Sequence, residues 1–446
     1  MRVQEFPVLG EDDRPVIDRL AGGLGETSAT VLAYLLLRNE EFSAESASLL
    51  AIRVGTGLNR KAVRDALSRL EDRELVETTT VRDETPGRPP TVWRTPRDRQ
   101  DTVESVYEGH ARGLVSRARR FTDSDMSTST AAVASAYPAN ADVSLALNWR
   151  PNGLHAPLFV AEERGAYEER DLSLRFGTNR GSRDALDALR SDDADIAVSG
   201  AATVLRARAN GEPVVPVALL FQHAMTALYG LESAFDGPFE RVDQLRGLRI
   251  GTPPTSETDL LGRLFLSQAD VLTDVELVEL RGEERDALLS GTVDVVTGSF
   301  SDPRQLRSDG IPVESILVAE QFPLPGPALV TTARNLSARE SDLVAFLAAT
   351  TDGWTDARAN PTRVRDAIAK RNGDDRDGDD GEGDGVERRA DRERHTFEEA
   401  VSEFGITDTV RKRGWGRNRM EAWDRLKTAL EQVGLLSPEE AERSST

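Results

Sequence analysis

Apolar positions recur at helical spacing in the first quarter of the chain, then give way to short apolar runs alternating with amphipathic stretches. Val31, Leu32, Leu35 and Leu36 share one face of a helix predicted over 27–38. A second helix is expected over 44–55, N-capped by Ser43 and stopped at Gly55. Asn59 is a suitable N-cap for a third over 60–75, with Ala62, Val63, Ala66, Leu67 and Leu70 turned inward. Arg60, Lys61, Arg64, Asp65, Ser68 and Arg69 then face outward. LVETTTV and TVWRTP follow as two short strands around the turn RDETPGRPP, and a further helix is expected at about 100–121.

From Val143 onward the runs VSLALNW, DIAVSG, VVPVALLF, LRIGT, DVVTG and PALVTT read as strands between helices. This alternation predicts an α/β architecture with mainly parallel sheets. The small, polar stretch 122–140 reads as a linker. Residues 372–395 are charged with little to bury and read as a disordered acidic insertion. The expected organisation is therefore a first domain at 24–98, a connecting or dimerising helix at 99–121, the linker, and a second domain at 141–440.

Composition narrows the chemistry. The 446 residues carry a formal net charge of -21, so any nucleic-acid contact must come from a local basic patch. One exists: residues 52–70 hold Arg53, Arg60, Lys61, Arg64 and Arg69 against Asp65 alone. Only Lys61, Lys370, Lys412 and Lys427 are lysines among the 56 basic residues, an acid-rich, Arg-biased composition like that of salt-in halophiles. With no cysteine, disulfides, thiolate metal sites and thiol nucleophiles are excluded, and four histidines make a His-rich metal site improbable. The first residues lack a basic-then-apolar leader pattern and no apolar run reaches membrane-spanning length, so a cytoplasmic location without membrane insertion is expected.

Three helices, a basic third helix and two strands around Gly87-Arg88-Pro89 resemble winged-helix regulators. The resemblance implies DNA as a partner. Arg60, Lys61, Arg64 and Ser68 would meet it from the third helix, and Arg82 and Arg88 from the wing. The helix at 99–121 would either pair two copies into a homodimer or act as a spacer.

Asn148-Trp149-Arg150-Pro151-Asn152-Gly153-Leu154-His155-Ala156-Pro157, followed by GAYEERDLSLRF, resembles the start of the thiamine-pyrimidine group of type 2 periplasmic binding proteins. The likeness continues through DALDALRSDDADIAVSGAATVLRARANGEPVVPVA, LRGLRIGTPPTSETDLL and DALLSGTVDVVTGSF. It implies two α/β lobes closing on a small thiamine-pyrimidine precursor-like ligand. In that reading Trp149 stacks on a flat ring, with core packing as its alternative. Asn148 and His155 lie beside it, and His155 hydrogen-bonds a ring nitrogen or phosphate. Ser199, Gly200, Thr252, Ser256 and Ser299 follow strands or open helices, where backbone N–H groups attract anions and where Ser and Thr are also ordinary caps.

The same group includes a fungal pyrimidine synthase, but its lysine, sacrificed histidine and cysteines have no counterparts: Ser199 and Thr203 stand at the first two positions, and Leu324 to Ala328 hold no cysteine. No enzyme activity and no cofactor are therefore expected. The sequence reading is a ligand-responsive transcription regulator in which lobe closure reorients paired winged helices through the helix at 100–121. The alternatives are a solute-binding protein of thiamine-precursor uptake and, less well supported, a thiamine-pyrimidine enzyme.

Overall fold

The helical repeat of the first quarter folds as its spacing implies, preceded by a helix that the pattern did not announce. The computed structural model describes residues 7–42, 46–80, 91–122, 141–374 and 383–437. The N-terminal unit runs α1 (Arg14–Leu24), α2 (Glu26–Phe42), β1 (Ala47–Ser48), α3 (Leu49–Thr56), α4 (Arg60–Glu71), β2 (Glu77–Thr80), β3 (Thr91–Arg94) and α5 (Arg99–Ala118). Its three strands form an antiparallel sheet in the order β1-β3-β2. Asn59 caps α4 as expected, its side chain accepting from Ala62 N at 2.9 Å, and Val63, Ala66, Leu67 and Leu70 are buried.

Two details of this unit differ from expectation. The second helix starts at Leu49, capped by the hydroxyl of Ser48, which accepts from Ala51 N at 3.2 Å; Ser43 lies outside the described residues, as do Arg82, Arg88 and the linker from 123 to 140. The third helix ends at Glu71 rather than Leu75, because Leu75 N turns back to Leu70 O at 2.9 Å and its side chain enters the core.

The second unit has two lobes. The first is built from β4 (Ala141–Leu147), α6 (Ala156–Glu163), β5 (Leu172–Thr178), α7 (Ser182–Arg190), β6 (Ile196–Ser199), α8 (Ala201–Ala209) and β7 (Val214–Leu219). The chain then crosses to the second lobe. It holds β8 (Thr226–Leu231), β9 (Arg249–Thr252), α9 (Glu257–Gln268), β10 (Glu276–Glu279), α10 (Glu284–Leu289), β11 (Val295–Ser299), α11 (Ser301–Ser308), β12 (Val313–Leu317) and α12 (Val318–Gln321). It returns as β13 (Ala328–Thr332), α13 (Ala333–Ala338), α14 (Glu340–Ala359), α15 (Pro361–Asp374), α16 (Gly383–Ala400), α17 (Asp408–Arg413) and α18 (Met420–Gln432).

The sheets are mixed, not mainly parallel: β5-β4-β6-β13-β7 in the first lobe and β10-β9-β11-β8-β12 in the second. In each, three parallel strands meet a strand that arrives from the other lobe and must run antiparallel, β13 in one and β8 in the other. The two crossing segments are bonded together, Leu220 N to Pro327 O at 2.7 Å and Ala224 N to Leu324 O at 2.9 Å. Gly326 allows this approach, since a Cβ there would lie 2.4 Å from His223 O. Below the crossing, Phe221, Trp354, Phe397 and Trp415 pack with ring centroids 5.6 to 6.5 Å apart, good geometry for aromatic contacts.

Residues 383–395 are the first part of α16, which corrects the expectation of a disordered loop over 372–395. Its charges cover an amphipathic helix whose Ala390, Phe397 and Ala400 are buried, and Arg394 pairs with Glu398 at 2.7 Å one turn on. The positions between, 375–382, lie outside the described residues.

The helix expected to connect or dimerise is fixed within the chain. Val103, Val106, Tyr107, Leu114 and Val115 of α5 are buried where it packs on α1, α14 and β7, and Tyr107 Oη donates to Arg19 O at 2.7 Å. The apolar face of α5 is therefore covered within the chain by α1, α14 and β7. The junction is closed by His110 Nε2 donating to Trp415 O at 2.7 Å and by Trp415 N donating to Gly22 O at 2.8 Å. Burial pushes His110 down to about 3, which keeps it neutral. Among the described residues no helix is long and apolar enough to cross a membrane.

Candidate ligand-binding site

Parallel strands leave a sheet with their C-terminal ends along one edge, and loops there form the crevice of an open α/β sheet. In the first lobe β4 and β6 lie in register with Ala146 opposite Ala197, so Asn148 and Ser199 emerge at the same edge. In the second, Val296 lies opposite Gly251, so Thr252 and Ser299 do likewise.

Trp149, just past β4, is 52% exposed and is not part of the core. Beside it Asn148 Oδ1 accepts from Nε2 of the buried His155 at 2.9 Å. Burial drives His155 down to about 3, so the ring is neutral. With the proton on Nε2, Nδ1 is a hydrogen-bond acceptor, and it is buried with no partner. The intervening loop is anchored from α16: Gly153 N donates to Glu393 Oε2 at 2.8 Å, and burial raises that carboxyl.

Gly200 precedes α8, and its N–H donates to Ser182 Oγ at 3.0 Å; the Ser199 hydroxyl is buried and donates to Gly200 O at 3.3 Å. Thr203 sits in the first turn of α8. The polar N–H groups that open this helix are met by a carboxylate from the other lobe. Glu257 Oε1 accepts from Ala202 N at 3.0 Å, and Oε2 accepts from Thr203 N at 2.8 Å and from Thr203 Oγ1 at 2.7 Å. Burial raises Glu257 while these three donors favour its charged form. Gly200 makes room, because a Cβ there would lie 2.1 Å from the Glu257 carboxyl carbon.

The remaining residues of the second lobe serve more local ends. Ser256 caps α9, accepting from Asp259 N at 3.0 Å. Thr252 is buried, accepting from Thr297 Oγ1 at 2.8 Å and donating to Asp259 at 3.3 Å. Ser299 N donates to Asp302 Oδ2 at 2.7 Å, and burial raises that carboxyl to about 6. Thus Ser199, Gly200 and Ser256 gather around the interlobe contact, Asn148, Trp149 and His155 form a second group at the first lobe's edge, and Thr252 and Ser299 belong to the second lobe's own network. Glu257 was missed. An acid right after an N-cap reads as an ordinary helix-dipole partner, and nothing in its spacing points to α8.

The residues expected to meet DNA are placed separately. Arg60, Lys61, Arg64 and Ser68 are exposed along α4, and none of the three cations forms an ion pair among the described residues.

Two lobes joined by paired crossing segments, each with a mixed five-stranded sheet, define the periplasmic-binding-protein fold. Residues 152–364 match the family described as NMT1/THI5 like. It is 30% identical over 242 residues to the riboflavin-binding protein RibY of Chloroflexus aurantiacus, covering 52% of this chain and 66% of that protein. The formylaminopyrimidine-binding protein of Halalkalibacterium halodurans is 30% identical over 163 residues, covering 35% of this chain and 47% of that one. The chain thus spans less than two thirds of the length of either relative. In structure it is similar to the alkanesulfonate-binding protein SsuA of Xanthomonas axonopodis pv. citri, with a TM-score of 0.51 at 16% identity over 68% of this chain and 96% of that one. That likeness concerns the fold. All three of these proteins are named as binding proteins.

Proposed function

We propose that this chain binds a small planar nitrogen heterocycle between its two lobes and releases it unchanged. The observation that carries the reading is the edge group of the first lobe. An exposed indole, Trp149, stands beside a neutral, buried His155 whose acceptor nitrogen has no partner. An indole face and a lone acceptor suit a flat ring bearing an amino or ring N–H group. The printed ligands of two relatives, riboflavin and formylaminopyrimidine, belong to that chemical class. Isothermal titration of the full chain in concentrated KCl with hydroxymethylpyrimidine, its phosphate, formylaminopyrimidine and riboflavin tests it. Micromolar binding of any one supports the reading; no heat from all four rejects it.

A second reading adds a DNA-binding role, favoured by the N-terminal unit. The order helix, strand, helix, helix, strand, strand, with sheet order β1-β3-β2, supports a winged-helix reading of this unit. The outer face of α4 presents Arg60, Lys61 and Arg64 on a chain of net charge -21. In this reading the protein is a cytoplasmic, homodimeric regulator, with lobe closure passed to the N-terminal unit through the fixed contacts of α5. Cell fractionation and light scattering of the purified chain test the location and the dimer.

A further inference from the structure

Like charges crowd together in a folded protein only when something neutralises them. In this acid-rich chain such a crowd lies where the N-terminal unit meets the two-lobed domain. A cavity of about 140 Å³ opens there, lined by Arg69 of α4 and Arg73 just beyond it, by Lys412 and Arg413 of α17 and Arg417 after it, with Asp72 as the acid on its wall.

Carboxylates do not balance this group. Lys412 pairs with Asp408 at 2.9 Å, but Arg69, Arg73, Arg413 and Arg417 form no ion pair among the described residues. Among the described residues the Arg73 guanidinium donates to Gly23 O at 3.2 Å, and Arg417 Nε to Arg413 O at 3.2 Å. Arg117 of α5 lies within electrostatic reach, and its Nε and one terminal nitrogen are buried without a hydrogen-bond partner. Burial first, then repulsion from its neighbours, lowers Arg417 to about 9 and Arg117 to about 10; Arg73 is lowered for the same reasons.

We propose that this junction is a binding site for a small phosphorylated anion, gripped by arginines from both units. The guanidinium fork matches phosphate oxygens two at a time, and charge-assisted bonds of this kind are strong. The cavity is walled by both units, which suits a free phosphate or diphosphate group rather than a duplex. An anion seated there draws α4 and α17 together and so stiffens the connection between the two units. The site is separate from the interlobe cleft and does not rest on the ligand proposed for it.

The test uses the full chain at constant high KCl, with inorganic phosphate and pyrophosphate as probes. Wild-type protein is expected to bind pyrophosphate at one site per chain and to melt at a higher temperature with it. Arg417→Gln and Arg73→Gln should each weaken binding about ten-fold or more. Without added phosphate these two variants should melt no lower than wild type, because each removes repulsion; arginines with a merely structural role would lower the melting temperature on removal, and that result overturns the proposal. Arg64→Ala, on the opposite reach of α4, should bind pyrophosphate normally. Equal loss in Arg64→Ala would place the phosphate on the exposed face of α4, where a DNA backbone would lie, and would overturn the junction site, as would no binding by wild type.

Discussion

Glu257 and Thr203 tie the two lobes together: the carboxylate of the first, on α9, accepts both the backbone N–H and the hydroxyl of the second, on α8, at 2.8 and 2.7 Å. The N-terminus of a helix is where such a fold can hold a ligand's anionic group. Here a side chain of the protein fills that position. The structure is therefore closed across the α8 terminus by its own carboxylate, and an anionic ligand group has to displace Glu257 to reach it.

Removing that charge should loosen closure. Glu257→Gln keeps the side chain's size while the helix terminus loses its anion, a contribution of about 0.3–1 kcal/mol or somewhat more when partly buried. Small-angle scattering of ligand-free protein should show a larger radius of gyration than wild type. Phosphorylated ligands should bind several-fold tighter, and their unphosphorylated forms should change little. Unaltered scattering together with unaltered phosphate preference would dismiss the latch.

Trp149→Ala should separate binding from folding. The indole is 52% exposed, so unfolding in guanidinium should shift by no more than about 0.5 kcal/mol. Affinity for the heterocycle should fall about ten-fold, the order of a lost ring-stacking contact with its buried area. An affinity that survives the substitution would remove Trp149 from the site.

The DNA reading makes its own prediction at Arg64. If α4 enters a groove, Arg64→Ala should weaken binding to a genomic fragment and reduce the slope of log affinity against log salt by about one. Heterocycle titrations should be unaffected. A chain that retards no DNA at any salt concentration would discard the regulator and leave a binding protein.

Acid should destabilise the junction through His110. Its ordinary value of 6.5 falls to about 3 on burial, so the unfolded chain takes up a proton that the folded chain refuses. This contribution is complete above about pH 6.5 and is lost as pH falls towards 3, at about 1.4 kcal/mol per unit. His155 acts in the same sense, whereas Asp302, raised from 3.8 to about 6, acts against it below about pH 6. Urea denaturation of His110→Asn between about pH 6.5 and 5 should therefore show a shallower loss than wild type, by about 1.4 kcal/mol per unit. Parallel losses in the two proteins would exonerate His110.

Local rules carried much of the architecture. The inward face of α4, its cap at Asn59 and the strands ending at Leu147, Ser199, Thr252 and Ser299 follow from periodicity and capping, which depend on neighbours in sequence. The edge position of Trp149 and Asn148 follows from the same source, since a residue after a parallel strand must emerge at its C-terminal edge. Where local rules failed, distant partners decided. Charged residues around Glu393 form a helix because Phe397 and Ala390 find a core and Glu393 itself binds Gly153, 240 positions away. α5 has the composition of a surface helix, yet it is enclosed by α14, a segment more than two hundred residues later.

The sequence by itself determined most of the elements and their faces, the α/β class and the absence of thiol chemistry, because these depend on side-chain type and short-range spacing. Only the tertiary structure decided which ends meet. It set Glu257 against α8, turned β8 and β13 antiparallel where the chain crosses between lobes, and gathered Arg69, Arg73 and Arg417 around one cavity. The reason is physical: a long-range contact is fixed by how whole elements pack, and no spacing along the chain encodes the approach of two charges from opposite ends of it.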